Sequence, residues 1–165
     1  MSIIEELYDI CQKELLKWCS AMTRDPLTAE DLVQEAFLRA LTNAEMLESL
    51  RPQQRKAWLY RTVKNLYLDR YRRASFEVIL DDLPEKGQET QEYAKVEADQ
   101  LLFLLPPKER ILFVMRYFQG YNAAELGKIF AMPPATVRSC LSRARKRLRT
   151  AIRPERFQKG EHNNE

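Results

Sequence analysis

Arg138, Ser142, Arg145 and Arg149 recur along one stripe of a segment that opens at Pro134, and Ser139, Arg143 and Lys146 form a second stripe beside it. A guanidinium presents its donors in a fixed fork that matches two acceptors on a guanine edge or two phosphate oxygens. The chemistry these groups suit is therefore recognition of a nucleic-acid duplex, not the making or breaking of bonds. Val137, Leu141, Ala144 and Leu148 fall at i, i+4, i+7 and i+11 and give the same segment one apolar face. From 135 to 153 there are seven Arg or Lys and no Asp or Glu. A helix that is merely solvated mixes signs to gain pairs one turn apart, so a plain surface helix is the weaker reading. A helix so dressed lies in a major groove, its first turn at the base edges and its later arginines on phosphates.

A second constellation spans 51–73, where eight basic residues face the single acid Asp69 and Trp58, Tyr60, Tyr67 and Tyr71 are interleaved. Bases track a phosphate chain and aromatic faces receive unstacked bases, a combination suited to single strands at about 1–3 kcal/mol per stacked base. Trp58 and Leu59 read more simply as core. Asn65 is harder to dismiss, because asparagine is a poor helix former. Arg61, Lys64, Arg72 and Arg73 read as backbone contacts. A third group, Glu30, Asp31, Gln34 and Glu35 with Leu32, Val33 and Phe37 near them, offers carboxylates and an amide at one-turn spacing to a basic helical partner. From the residues alone, a solvated acidic helix start, favoured by the helix dipole, is the simpler reading.

Other chemistries find little support. Cys11, Cys19 and Cys140 form no CxxC pair and the one histidine, His162, lies in a polar tail, so neither a zinc site nor any other cofactor is expected. Unpaired cysteines fit a reducing cytoplasm, where they pack as small apolar residues. No apolar run approaches the ~20 residues of a membrane span, and the acidic start MSIIEELYDI lacks the basic opening of a signal peptide. No Gly-rich phosphate loop occurs, and an enzyme is not expected.

The elements that must position these groups are helices. The periodicity predicts a first helix over 3–22, ending near Asp25-Pro26, and a second opened by Thr28 with Asp31 and running to about Asn43. A loop near 49–52 and a third helix over 54–73 follow. Residues 76–91 turn acidic, carry Pro84 and Gly87, and read as a linker. Helical signals resume over 92–104. Pro106-Pro107 starts a further helix, closed by Gly120. Asn122 with Glu125 forms a capping box for the next helix, Ala131-Met132-Pro133-Pro134 ends it, and Pro134 starts the basic helix without sacrificing a hydrogen bond. The fold class expected is all-α: two small helical domains joined by an acidic flexible linker, the second with a helix-turn-helix. The divisions are 1–75, linker 76–94, 95–153 and a disordered tail 154–165. Charge is segregated accordingly: ten acids to four bases over 1–50, eight bases to one acid over 51–73, eight acids to two bases over 74–99. Two basic segments split by an acidic one suggest two sites on a polyanion.

In that order, AEDLVQEAFLRAL at 29–41, AWLYRTVKNLYLDRYRR at 57–73 and LLPPKERILFVMRYFQGYNAAELGKIFAMPPATVRSCLSRARKRLR at 104–149 resemble bacterial RNA polymerase sigma factors of the extracytoplasmic-function (ECF) group. The resemblance covers nearly the whole chain. It implies an alternative sigma factor that binds core RNA polymerase, recognises the minus-ten and minus-thirty-five promoter elements and aids promoter melting. It also implies control by an anti-sigma factor. Carried over residue by residue, it puts Glu30, Asp31, Leu32, Gln34, Glu35 and Phe37 on the polymerase, whose β′ coiled coil and β flap are the implied contacts. Arg51, Lys56, Tyr60, Arg61, Lys64, Asn65, Arg72 and Arg73 fall on the minus-ten element, with a loop over 50–56 and Asn65 holding a flipped base. Thr136, Arg138, Ser139, Ser142, Arg143, Arg145, Lys146 and Arg149 fall on the minus-thirty-five element. Two departures from the family stand out: Cys140 where a basic residue is common, and Pro134 where an aliphatic one is. The acidic linker, with Asp81, Asp82, Glu85 and Glu89, would pass through polymerase channels as an RNA mimic or serve as a tether. A stand-alone helix-turn-helix regulator would account for 122–149 but leave 29–41 and 57–73 without a role.

Overall fold

The computed structural model describes residues 2–80 and 98–152. Eight helices and no strand occur among the described residues: α1 (Ile3–Thr23), α2 (Pro26–Thr42), α3 (Ala44–Glu48), α4 (Pro52–Leu80), α5 (Ala98–Leu102), α6 (Pro107–Tyr117), α7 (Ala123–Phe130) and α8 (Pro134–Ile152). The all-α class and its two helical halves are as expected. The acidic linker residues Asp81, Asp82, Glu85 and Glu89, the predicted helix start at 92–97, and the tail with His162 lie outside the described residues.

Helix boundaries follow local chemistry. Ser2 and Glu5 close a capping box on α1, and Arg24 ends it in the left-handed region at φ 57°. The start of α2 is set by Asp25, not Thr28: the Asp25 carboxylate accepts from the Leu27 amide, Pro26 supplies the pre-set first φ, and Thr28 donates its hydroxyl to the same carboxylate at 2.6 Å. Asparagine 43 ends α2 and hands over to α3, a short helix that the periodicity had not resolved. Gly120 takes φ 81°, which admits a side chain only with strain, and turns the chain from α6 into α7.

Two differences bear on function. Pro52 begins α4, so the loop expected over 50–56 shortens to Ser49–Arg51, and residues 52–56 already form the first helical turns. At its other end α4 continues to Leu80, through residues 76–80 that had read as linker.

The core is continuous across both halves. Leu7, Cys11, Leu15, Trp18 and Met22 of α1 pack with Leu32, Val33 and Ala36 of α2 and with Leu59, Tyr60 and Val63 of α4. The same cluster runs on through Ile111, Leu112 and Met115 of α6, Leu126 and Phe130 of α7, and Val137, Leu141 and Ala144 of α8. Ile10 of α1 and Leu38 of α2 lie off this core and are exposed. A smaller cluster of Ile4, Ala40 and Leu47 sits under α3.

Candidate nucleic-acid interface

The helix-turn-helix is built from its turn. Asn122 accepts from the Glu125 amide at 2.8 Å while Glu125 accepts from the Asn122 amide at 3.1 Å, so α7 starts with the predicted capping box. Ala131 ends α7 in the left-handed region at φ 53°, and the Met132 amide reaches back to the Gly127 carbonyl at 2.9 Å. A Cβ on Gly127 would stand 2.6 Å from the Met132 carbonyl oxygen, so this tight passage needs glycine. Pro134 then opens α8.

On α8 the predicted faces separate as the spacing requires. Val137, Leu141 and Ala144 are buried and Leu148 is half-buried, whereas Thr136, Arg138, Ser139, Ser142, Arg143, Arg145, Lys146 and Arg149 are all exposed. Cys140 faces inward, where a charged side chain would be buried. Burial pushes its thiol pKa up, with Glu109 adding to the rise.

Sequence reasoning missed what aims this helix. Glu109 of α6 is buried, and its carboxylate accepts from Arg147 at 3.0 and 3.2 Å while Arg143 stands at 3.7 Å. Arg147 thus braces α8 on α6. Arg145 donates to the Tyr117 hydroxyl at 2.7 Å. The Pro-Lys-Glu-Arg start of α6 was a visible signal only for a helix N-terminus.

The second basic face lies on α4. Arg51, Arg61, Asn65, Arg72 and Arg73 are exposed, and Asn65 and Arg72 line a groove of about 320 Å³ with Arg39 and Asp69. Arg73 pairs with Asp69 one turn away at 3.1 Å. Tyr60 is fully buried, its ring 5.1 Å from Trp18, and does not share that exposed face. Lys56 and Lys64 are half-buried. Lys56 pairs with Glu14 at 3.4 Å, and Lys64 sits 5.5 Å over the Phe130 ring. Burial, with Arg61 and Lys108 nearby, lowers the Lys64 pKa. Trp58 packs partly into the core, as its composition suggested.

The candidate polymerase-docking residues border the same surface. Asp31, Gln34 and Glu35 of α2 line a groove of about 660 Å³ with Arg70 and Arg73 of α4. Glu30 and Phe37 line a neighbouring, more apolar groove of about 510 Å³ with Tyr8, Leu38 and Leu41. Leu32 is buried and supports the face from beneath. Glu35 is shared with Arg39 at 3.3 Å. No cluster of three metal-ligating side chains occurs among the described residues, and no described helix is long and apolar enough to cross a membrane.

Comparison with known proteins agrees with this arrangement in both halves. The Sigma-70 region 2 model matches residues 7–77 and the Sigma-70, region 4 model matches residues 95–148. The chain is 32% identical to the RNA polymerase sigma-E factor of Streptomyces coelicolor, over 90% of this chain and 85% of that one. It is 30% identical to the ECF RNA polymerase sigma factor SigM of Bacillus subtilis, over 88% and 93%. Among solved structures, the sigma factor RpoE of Bartonella quintana, crystallised with the anti-sigma factor NepR, superposes with a TM-score of 0.66 at 20% identity, over 92% of this chain and 97% of that one. Two family segments in the expected order, relatives at 30% and 32% identity over most of both chains and a shared fold place this chain in the ECF family of RNA polymerase sigma factors.

Proposed function

We propose that this sigma factor divides its work among three surfaces. The α2 face, with Glu30, Asp31, Gln34, Glu35 and Phe37 over buried Leu32, docks on core RNA polymerase. Arg51 and the adjoining side of α4, with exposed Arg61, Asn65, Arg72 and Arg73 and half-buried Lys56 and Lys64, take the minus-ten element and the strand released by melting, with Tyr60 acting beneath as an aromatic support. The outer face of α8 reads the minus-thirty-five duplex: Thr136, Arg138, Ser139, Ser142 and Arg143 meet base edges, and Arg145, Lys146 and Arg149 meet phosphates. The chain performs no catalysis of its own, acts in the cytoplasm and is held in check by an anti-sigma factor. The likeness to a sigma factor solved with its anti-sigma factor supports that last reading.

The observation that carries the division of α8 is the exposure of all eight candidate DNA contacts on a helix whose apolar stripe is buried and whose Arg147 is spent on Glu109. The test is run-off transcription from a pool of random promoters with purified core polymerase present or absent. Transcripts that require polymerase and share two upstream elements are expected. Asn65→Ala should reduce strand opening in footprints while polymerase binding persists. Tight binding to a palindromic duplex without polymerase, and no transcripts, would replace this reading with an operator-binding regulator.

A further inference from the structure

Among the described residues, two charged side chains are buried, Glu109 and Arg110, neighbours in the first turns of α6. They are not paired with each other. Arg110 donates to the Leu102 and Leu105 carbonyls at 2.9 and 2.8 Å and to the Met22 carbonyl at the end of α1 at 3.5 Å. Glu109 faces α8 instead, and two arginines converge on it. Arg147 brings its Nε to 3.2 and 3.0 Å from the two carboxylate oxygens, and Arg143 brings its Nε to 3.7 Å from Oε1.

An acid in the first turn of α6 suits the helix dipole, but that gain needs no burial. A buried carboxylate needs a partner, and Arg147 alone reaches both oxygens. The brace is therefore complete without Arg143, and the second guanidinium needs a separate account. Arg143 is one of the residues assigned to base edges. Its contact with Glu109 is made by Nε, which leaves the fork of terminal nitrogens for a partner beyond α6, and the side chain is 62% exposed. A fork of that kind matches the two acceptors of a guanine edge.

The same stripe of α6 treats a phosphate-assigned arginine differently. Glu109, Phe113 and Tyr117 recur at every fourth residue, and the Phe113 and Tyr117 rings lie 4.5 Å apart. Tyr117 accepts from Arg145 at 2.7 Å. A neutral hydroxyl orients Arg145 and leaves its charge whole, as a phosphate anchor requires. A carboxylate orients Arg143 and offsets part of its charge. That offset acts unequally on the two ways of binding DNA. Non-specific binding is carried by cations free to swing onto phosphates. Base reading is carried by hydrogen bonds of matched geometry.

We propose that Glu109 is a positioning residue for promoter discrimination: from α6, without touching DNA, it holds Arg143 back from the phosphates and aims it at a base edge. Arg147 keeps the carboxylate paired when Arg143 moves onto a base, so engagement strands no buried charge. The proposal rests on the reading of α8 as the minus-thirty-five helix, and it places part of the sequence specificity in α6.

The experiment measures binding of the full chain to the minus-thirty-five duplex it prefers, to single-substituted versions of it, and to random-sequence duplex, each at several salt concentrations. The native chain is compared with Glu109→Gln, Arg143→Ala and the double variant. Glutamine keeps the shape and an oxygen for Arg147 while removing the charge. Glu109→Gln should raise affinity for random duplex and steepen the slope of log affinity against log salt by up to about 0.9, one further phosphate. The ratio of preferred to random affinity should fall at least about fivefold, the lower end of what one bidentate base contact supplies. A loss of structure alone would weaken binding to every duplex together, so the rise on random duplex separates the two. In the Arg143→Ala background, Glu109→Gln should leave the ratio unchanged, because its effect runs through Arg143.

Circular dichroism establishes that the variants keep their helices. If Glu109→Gln does not fold, the native chain decides: nitrogen-15 relaxation should show the Arg143 Nε more rigid than those of Arg138 and Arg149, which make no ion pair among the described residues. Weaker binding of Glu109→Gln to all duplexes alike, a ratio that falls as far without Arg143, or an Arg143 as mobile as Arg138 would overturn the proposal. If the native chain prefers no duplex, the reading of α8 fails and this inference with it. A native preference that Glu109→Gln leaves intact removes this inference alone.

Discussion

The buried carboxylate of Glu109 holds the Nε of Arg147 at 3.0 and 3.2 Å, one contact to each oxygen. This pairing between α6 and α8 fixes the rotation of α8, and Arg143 stands 3.7 Å from the same carboxylate. Arg147→Ala leaves a carboxylate 6% exposed with only Arg143 at 3.7 Å. We expect a loss of about 2 kcal/mol, below the ~3–5 of a fully buried pair because Arg147 itself is half-exposed. Urea unfolding measures it. A loss under about 0.5 kcal/mol would make the pair an ordinary surface contact.

Gly127→Ala should cost about 1–3 kcal/mol, because the added methyl meets a backbone oxygen and the turn must move. Affinity for the minus-thirty-five duplex should fall alike for all sequences. Core polymerase binding, which we propose uses α2, should be retained. Unchanged stability would mean that the turn has slack its geometry does not suggest.

Arg143→Ala and Arg149→Ala should differ in kind. The first should lose about 1–3 kcal/mol of discrimination at particular base positions. The second should weaken binding nearly uniformly and reduce the slope of log affinity against log salt by about 1. Binding measured on single-substitution duplexes at several salt concentrations separates them. Equal effects on every sequence would refute the division into readers and anchors.

Alkaline pH should loosen the core through its thiols. Burial raises Cys11 from 9.0 to about 11 and Cys19 to about 12. A folded-state pKa above the unfolded one means that the folded chain holds its proton longer. The contribution is therefore complete below about pH 9 and is lost as pH rises toward 11 and 12. Urea midpoints should be flat through the thiol range from pH 7 to 8.5 and fall above 9, and Cys19→Ala should flatten the fall. An unchanged slope in that variant would assign the alkaline loss to other groups.

Much of this molecule was legible as pattern. The capping box of Asn122 and Glu125, the proline that opens α8 and the three stripes of that helix are local facts, because hydrogen-bond caps and a 3.6-residue period act within a few residues. The exposure of Asn65, Arg72 and Arg73 follows from the same period on α4. Boundaries were less secure where two local signals competed. Asp25 and Thr28 are both able caps, and proline at the first turn decided for Asp25. The start of α4 at Pro52 is a similar case, since proline fits a loop and a first turn equally well.

By itself, then, the sequence determined the helical class, the order of the segments and the outward chemistry of α8, all of which depend on residues near one another in the chain. Only the tertiary structure decided that Tyr60 is buried, that Cys140 faces inward, that Glu109 braces Arg147, and that Arg110 reaches the end of α1. Each depends on groups far apart in sequence. An aromatic or a charge reads the same in the chain whether it meets solvent, DNA or another helix, and only packing chooses among them.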